Sequence, residues 1–182
     1  MMAVALTVGF GLSYYALTDG RFFAAYEVGP WAAWPDVGSP TPDPYTRAYL
    51  ARTGSLQLGL TEGLQFVARS DSAGFPLERT CRYRIEGTTP VASFWTLVAT
   101  DPDGVNIARV DGMPAFHSSR IAREEDGSMV LYVSRSIAPM NWLEISGEGL
   151  FDLVLTLYDS SVFAGVGSAV EGLPSITREA CL

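Results

Sequence analysis

The stretch that most constrains this chain runs from Val91 to Gly104. There the apolar run Phe94-Trp95-Thr96-Leu97-Val98-Ala99-Thr100 closes on Asp101-Pro102-Asp103-Gly104. Aromatic and β-branched side chains suit a pleated, half-buried surface, and proline at the second turn position followed by Asp-Gly stops a strand and reverses the chain. The stretch reads as a central strand. The same logic recurs on both sides of it. Leu64, Phe66 and Ala68 alternate with Gln65, Val67 and Arg69. Cys81, Tyr83 and Ile85 alternate with Arg82 and Arg84, and Met129, Leu131 and Val133 oppose Val130 and Tyr132. A period of two places one set of each on a buried face, Cys81 included. Asp71 to Gly74, Asp111-Gly112 and Asp126-Gly127 supply turns, Ala115 to Ala122 makes a further short strand, and Phe151 to Tyr158 is the last long one. Short strands with regular turn signals predict a mainly β fold, an antiparallel two-sheet sandwich of jelly-roll type or a relative. No internal repeat stands out.

One short helix precedes the sandwich. Asp43 is a good N-cap, Pro44 sits at the first helical position, and Gly54 follows the helix at Thr53. With 182 residues the chain has room for one domain and a short appendage. The predicted division is an anchor over residues 1–20, a juxtamembrane linker over 21–42 and the β-sandwich over 43–182.

Met1 to Thr18 contains no charged side chain. At about 1.5 Å per residue such a helix spans roughly 27 Å, close to the apolar thickness of a bilayer. An uncleaved transmembrane helix is expected. A cleaved secretory peptide is the alternative, but the basic n-region is missing and Ala16-Leu17-Thr18 is a poor cleavage site. Ala5, Gly9 and Ser13 recur every fourth residue, a stripe of small side chains that lets a second membrane helix approach closely. The plain alternative is that small residues are frequent throughout this chain. Phe22, Phe23, Tyr26, Trp31 and Trp34 follow, interrupted by Gly29-Pro30 and Pro35. They fit an interfacial aromatic belt, or else they pack on the domain.

Composition excludes several chemistries. The formal net charge of −8 argues against a nucleic-acid surface. All twelve basic residues are arginine, so Schiff-base chemistry and a phosphate-loop lysine are both ruled out, although coding bias is a sufficient cause of that usage. Cys81, Cys181 and the single His117 are too few for a zinc site of nitrogen and sulfur ligands. If the cysteines pair, the bridge ties the end of the chain to an early strand and requires an oxidising compartment; two unrelated free thiols are the other possibility. The disulfide reading puts the domain outside the cytoplasm.

Candidate sites are few. His117 invites a Ser-His-acid arrangement, but no Gly-x-Ser-x-Gly elbow is present and a surface or strand-edge histidine accounts for it. Asp101, Asp103 and Asp111 suggest calcium, yet their spacing is not that of an EF-hand and Asp-Pro-Asp-Gly is explained as a turn. Glu124-Glu125-Asp126 reads as a solvated hairpin tip. Trp95, Trp142, Tyr132 and Tyr158 can form a sugar-stacking platform on a sheet face, with Asn141 and Arg135 adding polar contacts; core packing of the tryptophans is the competing reading. The candidate binding set is therefore Asn141, Trp142, Arg135 and Tyr132. No catalytic residue, metal ligand or cofactor is nominated.

An ordered set of residues carries a resemblance. Asp43-Pro44-Tyr45, Glu62-Gly63, Phe66, Asp71 with Gly74, Tyr83 with Gly87, Phe94-Trp95-Thr96-Leu97, Asp126-Gly127-Ser128, Asn141-Trp142-Leu143, Leu157-Tyr158 and Pro174-x-Ile176 resemble the domain-of-unknown-function 1214 family. The likeness is to its short, membrane-anchored alphaproteobacterial form and covers about residues 40 to 182. It implies a jelly-roll-like sandwich and no established activity. Glu144 departs from the pattern, which usually has proline there. The expected function is a single-pass inner-membrane protein whose periplasmic sandwich binds or supports a protein partner, a non-catalytic accessory subunit. The alternative is an envelope carbohydrate-binding or glycan-processing module.

Overall fold

The computed structural model describes residues 2–19, 26–53, 58–59, 62–109, 111–160 and 172–181. Helix α1 covers Met2–Asp19 and α2 covers Pro44–Thr53. Between them lie strands β1 (Tyr26–Val28) and β2 (Trp31–Ala33). After α2 come β3 (Gly63–Ala68), β4 (Cys81–Gly87), β5 (Ala92–Thr100), β6 (Phe116–His117), β7 (Met129–Ser134), β8 (Asn141–Glu144), β9 (Asp152–Ser160) and β10 (Ser175–Cys181). They form a six-stranded sheet in the order β1-β2-β3-β9-β5-β6 and a four-stranded sheet in the order β10-β4-β7-β8.

Alternation explains the core. Tyr83 and Ile85 of β4, Leu131 and Val133 of β7, Phe66 of β3, Leu97 of β5 and Leu153, Leu155 and Leu157 of β9 are all essentially removed from solvent. The inner faces of both sheets thus contribute to one buried cluster, and the Tyr83 and Phe151 rings meet edge to face with centroids 5.6 Å apart.

Several expectations are corrected. The centre of the larger sheet falls on β9, which pairs along its length with both β3 and β5, whereas the outer neighbour of β5 is only the two-residue β6. The sandwich is not wholly antiparallel, because β8 runs parallel to β7. Residues placed in the linker include β1 and β2, a hairpin that extends the larger sheet by pairing with β3. Trp31 is buried there, and its indole N–H donates to the carbonyl of Pro174 at 2.7 Å. Trp31 therefore packs on the domain rather than in a membrane belt; Phe22, Phe23 and Gly54 lie outside the described residues.

The N-terminal helix exists, but among the described residues no helix is long and apolar enough to cross a membrane. The reason lies in its last turns, where Ser13, Tyr14, Tyr15, Thr18 and Asp19 dilute an otherwise apolar segment. In α2, Asp43 caps as its position predicts, its Oδ1 accepting from the Thr46 N–H at 3.2 Å.

A repeat that the sequence conceals appears in the turns. Asp71 and Asp101 each accept two backbone N–H groups on Oδ1, from Ala73 and Phe75 and from Asp103 and Val105. In each turn the Asp N–H bonds the carbonyl four residues on, and a glycine with positive φ, Gly74 or Gly104, bonds back to the Asp carbonyl. Leu77 then returns to Arg69, and Ile107 to Ala99. The two units leave β3 and β5 on either side of Leu153 in β9, since Ala68 and Ala99 are both its register partners. Only the aspartate and the glycine three residues on are identical in the two turns, the other likenesses being of residue type, too little to register as a repeat in sequence.

Candidate functional site

The outer face of the smaller sheet gathers most of the candidate residues. With Leu131, Val133 and Leu143 turned inward, Tyr132 and Trp142 face outward and are direct register partners across β7 and β8, while Arg84 partners Tyr132 from β4. All three are half-buried. Arg84 is ion-paired with Glu86 at 2.9 Å and Arg109 with Glu144 at 2.9 Å, so much of the charge on this face is neutralised locally. Trp142 does not present its indole N–H to solvent. That group donates to both the carbonyl and the hydroxyl of Ser134, at 3.2 and 3.1 Å.

Asn141 stands apart from this face. It is 4% exposed, accepts from the Ala122 N–H at 2.8 Å and donates to the carbonyls of Ala122 and Val130, each at 2.8 Å. The amide is consumed in holding the Ile121–Ala122 loop against β7, leaving no group to meet a ligand. Arg135 is exposed in the turn after β7 and makes no hydrogen bond or ion pair with any described residue. The sequence groups these four residues as aromatic platform and polar neighbours. The structure joins Tyr132 and Trp142, sets Arg135 beyond the end of β7, and turns Asn141 inward.

Trp95 is a core residue, 2% exposed, whereas Tyr158 lies on the outer face of the other sheet beside Phe94, their ring centroids 5.9 Å apart. Phe94 also meets His117 at 5.7 Å. His117 Nδ1 is buried without a hydrogen-bond partner, so no carboxylate orients that ring through Nδ1 as a triad requires. Among the described residues no group of three or more His, Cys, Asp or Glu side chains is placed to hold a metal ion. Asp126, at the hairpin tip, has its carboxyl held below the usual range by hydrogen bonds from the side chain and backbone of Ser128.

Cys81 and Cys181 are bonded to each other, directly opposite in β4 and β10, at a sequence separation of 100. Beside this bridge Arg178 reaches over the Phe75 and Tyr83 rings, 5.6 Å from each centroid. Burial pushes the Tyr83 phenol above its ordinary value, while the Glu78 N–H that it accepts and the Arg178 cation pull it back.

A family model described as protein of unknown function DUF1214 matches residues 62–162. The chain belongs to the DUF1214 family. Among curated proteins, no sequence matches it. A crystal structure of a Vibrio parahaemolyticus protein is similar over 75% of this chain and 35% of its own, at 18% identity and a TM-score of 0.59. An uncharacterised protein from Burkholderia cenocepacia is similar over 98% of this chain and 52% of its own, at 16% identity and a TM-score of 0.49. The chain spans about a third and about half of the length of these two proteins. The Vibrio likeness establishes a shared fold. Within the DUF1214 match lie β3 to β9, hence Tyr132, Trp142 and Arg135, while α1, β1, β2 and β10 fall outside it.

Proposed function

We propose that this DUF1214 protein is a non-catalytic accessory module, held at the bacterial inner membrane by α1, whose sandwich lies in the periplasm and binds or supports a protein partner. The observation that carries the reading is the state of α1. Its large apolar side chains, from Met2 through Val4, Leu6, Val8, Phe10 and Leu12, are all exposed, and they are distributed around the helix rather than along one stripe. A stretch with exposed apolar side chains on every side over residues 2–12 is suited to an apolar surrounding, and among the described residues the sandwich does not cover it. The disulfide supports the oxidising side of the membrane as the location of the domain. Ala5, Gly9 and Ser13 would then mark the face on which a partner helix packs. Nothing within 4 Å would meet a β-carbon at Gly9, so that face is open.

The test is extraction of the full chain from native membranes in mild detergent, followed by sizing and mass spectrometry of what travels with it. A stoichiometric membrane partner lost on Gly9→Leu, with the sandwich still folded, supports the reading. Recovery as a monomer in the soluble fraction without detergent overturns it. Because the chain contains no lysine, amine-reactive crosslinkers are unsuited to the purpose.

A second reading, an envelope carbohydrate-directed module, draws on the facing pair Tyr132 and Trp142. Under it, Trp142→Ala abolishes retention on envelope glycan without lowering thermal stability. Loss of stability instead assigns the indole to the structure of the sheet.

A further inference from the structure

Where β4 begins and β7 ends, the smaller sheet leaves a pocket of about 180 Å³ lined by Thr80, Cys81, Arg82, Ser134, Arg135, Ser136 and Ala180. Two arginines line it and no carboxylate does. Elsewhere in the sandwich Arg69, Arg84, Arg109 and Arg178 are matched with Asp152, Glu86, Glu144 and Asp71. Among the described residues Arg79, Arg120 and Arg123 also lack a carboxylate partner, but Arg82 and Arg135 lie together beside one cavity, where an external anion would meet both.

The hydrogen bonds show which donors remain. Arg82 Nη2 donates to the Ser136 hydroxyl at 3.1 Å and to the Ile137 carbonyl at 3.4 Å, which fixes the guanidinium and leaves its other N–H groups uncommitted. Ser136 Oγ accepts from Arg82 and keeps its own proton to give. Ser134 is spent: its hydroxyl donates to the Ser136 carbonyl and accepts from the Trp142 indole. The Thr80 hydroxyl has only a 3.9 Å contact with the Cys81 sulfur. Arg135 is committed to no described residue. The donors available are thus the remaining N–H groups of Arg82, the Arg135 guanidinium and the hydroxyls of Thr80 and Ser136, carried by the start of β4 and the turn after β7, and the two cations disfavour a cation as the ligand.

We propose that this pocket is a binding site for a phosphate group. Guanidinium forks match the oxygens of phosphate, and several donor groups carried on two separate chain segments suit an oxyanion with three or four acceptor oxygens better than a carboxylate with two. A volume well above the roughly 30 Å³ of one water, yet below the roughly 300 Å³ at which sites for larger ligands begin, accommodates the phosphate and leaves the rest of the ligand outside. The phosphate can be free or can belong to a phospholipid headgroup. Ile137 and Met140, 79% and 65% exposed in the adjoining turn, make the lipid source worth testing directly. The inference stands on the sandwich alone and does not depend on α1 entering a membrane.

The experiment titrates the full chain, in non-ionic detergent, with inorganic phosphate against chloride at matched ionic strength, and measures binding by calorimetry and by the shift in melting temperature. In parallel it measures retention on phosphatidylglycerol vesicles against phosphatidylcholine vesicles. Arg135→Gln is the informative variant, because that side chain holds nothing else in place; Arg123→Gln, whose side chain does not line the pocket, is the control. The expected result is saturable phosphate binding weakened about tenfold or more by Arg135→Gln and unchanged by Arg123→Gln. Phosphatidylglycerol-selective retention that Arg135→Gln removes, with weak binding of free phosphate, equally supports the site and assigns the headgroup as its source. No phosphate effect beyond chloride together with no lipid selectivity, or binding that Arg135→Gln leaves intact, overturns the proposal.

Discussion

Arg178 on the last strand places its Nε 3.3 Å from the carboxylate of Asp71, a side chain only 3% exposed in the turn after β3. The contact is an ion pair rather than a directed hydrogen bond, and a neighbouring guanidinium N–H is spent on the Pro76 carbonyl. Asp71 is also held by the N–H groups of Ala73 and Phe75, so its charge is not left bare when the arginine is removed. Arg178→Gln should therefore cost about 2 kcal/mol, below the 3–5 of a buried pair broken with no other support. Asp71→Ala, which also orphans two backbone donors, should cost more. Urea denaturation of both variants checks the order; an Arg178→Gln variant as stable as the parent would show that the turn alone satisfies the carboxylate.

The disulfide should contribute about 2–5 kcal/mol, the upper end reflecting the long loop that it closes. Cys81→Ser with Cys181→Ser, or reduction of the parent, should lower the melting temperature by several degrees. Intact mass before and after alkylation under denaturing conditions, with and without reductant, reports whether the bond is present in the purified chain.

Asn141→Ala should destabilise the fold by about 2–3 kcal/mol, since three hydrogen bonds vanish and the part-buried backbone groups of Ala122 and Val130 lose this partner. Thermal melting measures the loss. A neutral outcome would mean that the Ile121–Ala122 loop docks by other contacts.

Gly63→Ala tests the pairing of β3 with β9. A β-carbon at Gly63 would run into the backbone carbonyl of Leu157, so the strands must part or shift, at about 1–3 kcal/mol. Gly127→Ala meets no atom within 4 Å and serves as a contrast in which only the positive φ is opposed.

Tyr83 gives the pH dependence. Its folded value lies above the ordinary 10, so the neutral phenol is favoured in the folded state. The associated stability is complete below about pH 10 and is lost as pH rises from there through the folded value. Denaturant midpoints of the parent should fall as pH rises above about 10, and Tyr83→Phe should flatten the fall. A parallel decline in both proteins would assign it to other groups.

The legible parts of the fold are those in which one face of a strand is buried over several residues. In β4 and β7 the alternation identified Cys81, Tyr83, Ile85, Met129, Leu131 and Val133 as inward, and all are buried. The hairpin of β1 and β2 escaped because three-residue strands are too short to display a period, and Trp31 beside Gly-Pro looks like an interfacial aromatic until its indole is seen on Pro174. The parallel course of β8 escaped because strand direction leaves no trace in composition. The environment of Asn141 is hidden for a related reason. A polar residue next to a tryptophan suggests a binding pair, and only the return of Ala122 from 19 residues away shows where its amide is used. The pocket proposed for phosphate left little trace: Arg135 was legible only as a polar neighbour of the aromatic residues, and Arg82, far back along the chain in β4, lines the same cavity through the fold.

The bond from Trp31 to Pro174 has a practical consequence for anyone trimming this chain. It fastens the first hairpin of the sandwich to the approach of its final strand, across a separation of 143 residues. A fragment begun at residue 43, where composition suggests that the domain starts, would discard that hairpin, strip the outer edge of β3 of its partner and leave the Pro174 carbonyl without its donor. A bare, largely apolar strand edge is a template for pairing with other chains, so such a fragment should precipitate or form oligomers. Shortened versions intended for solution work should begin upstream of Tyr26.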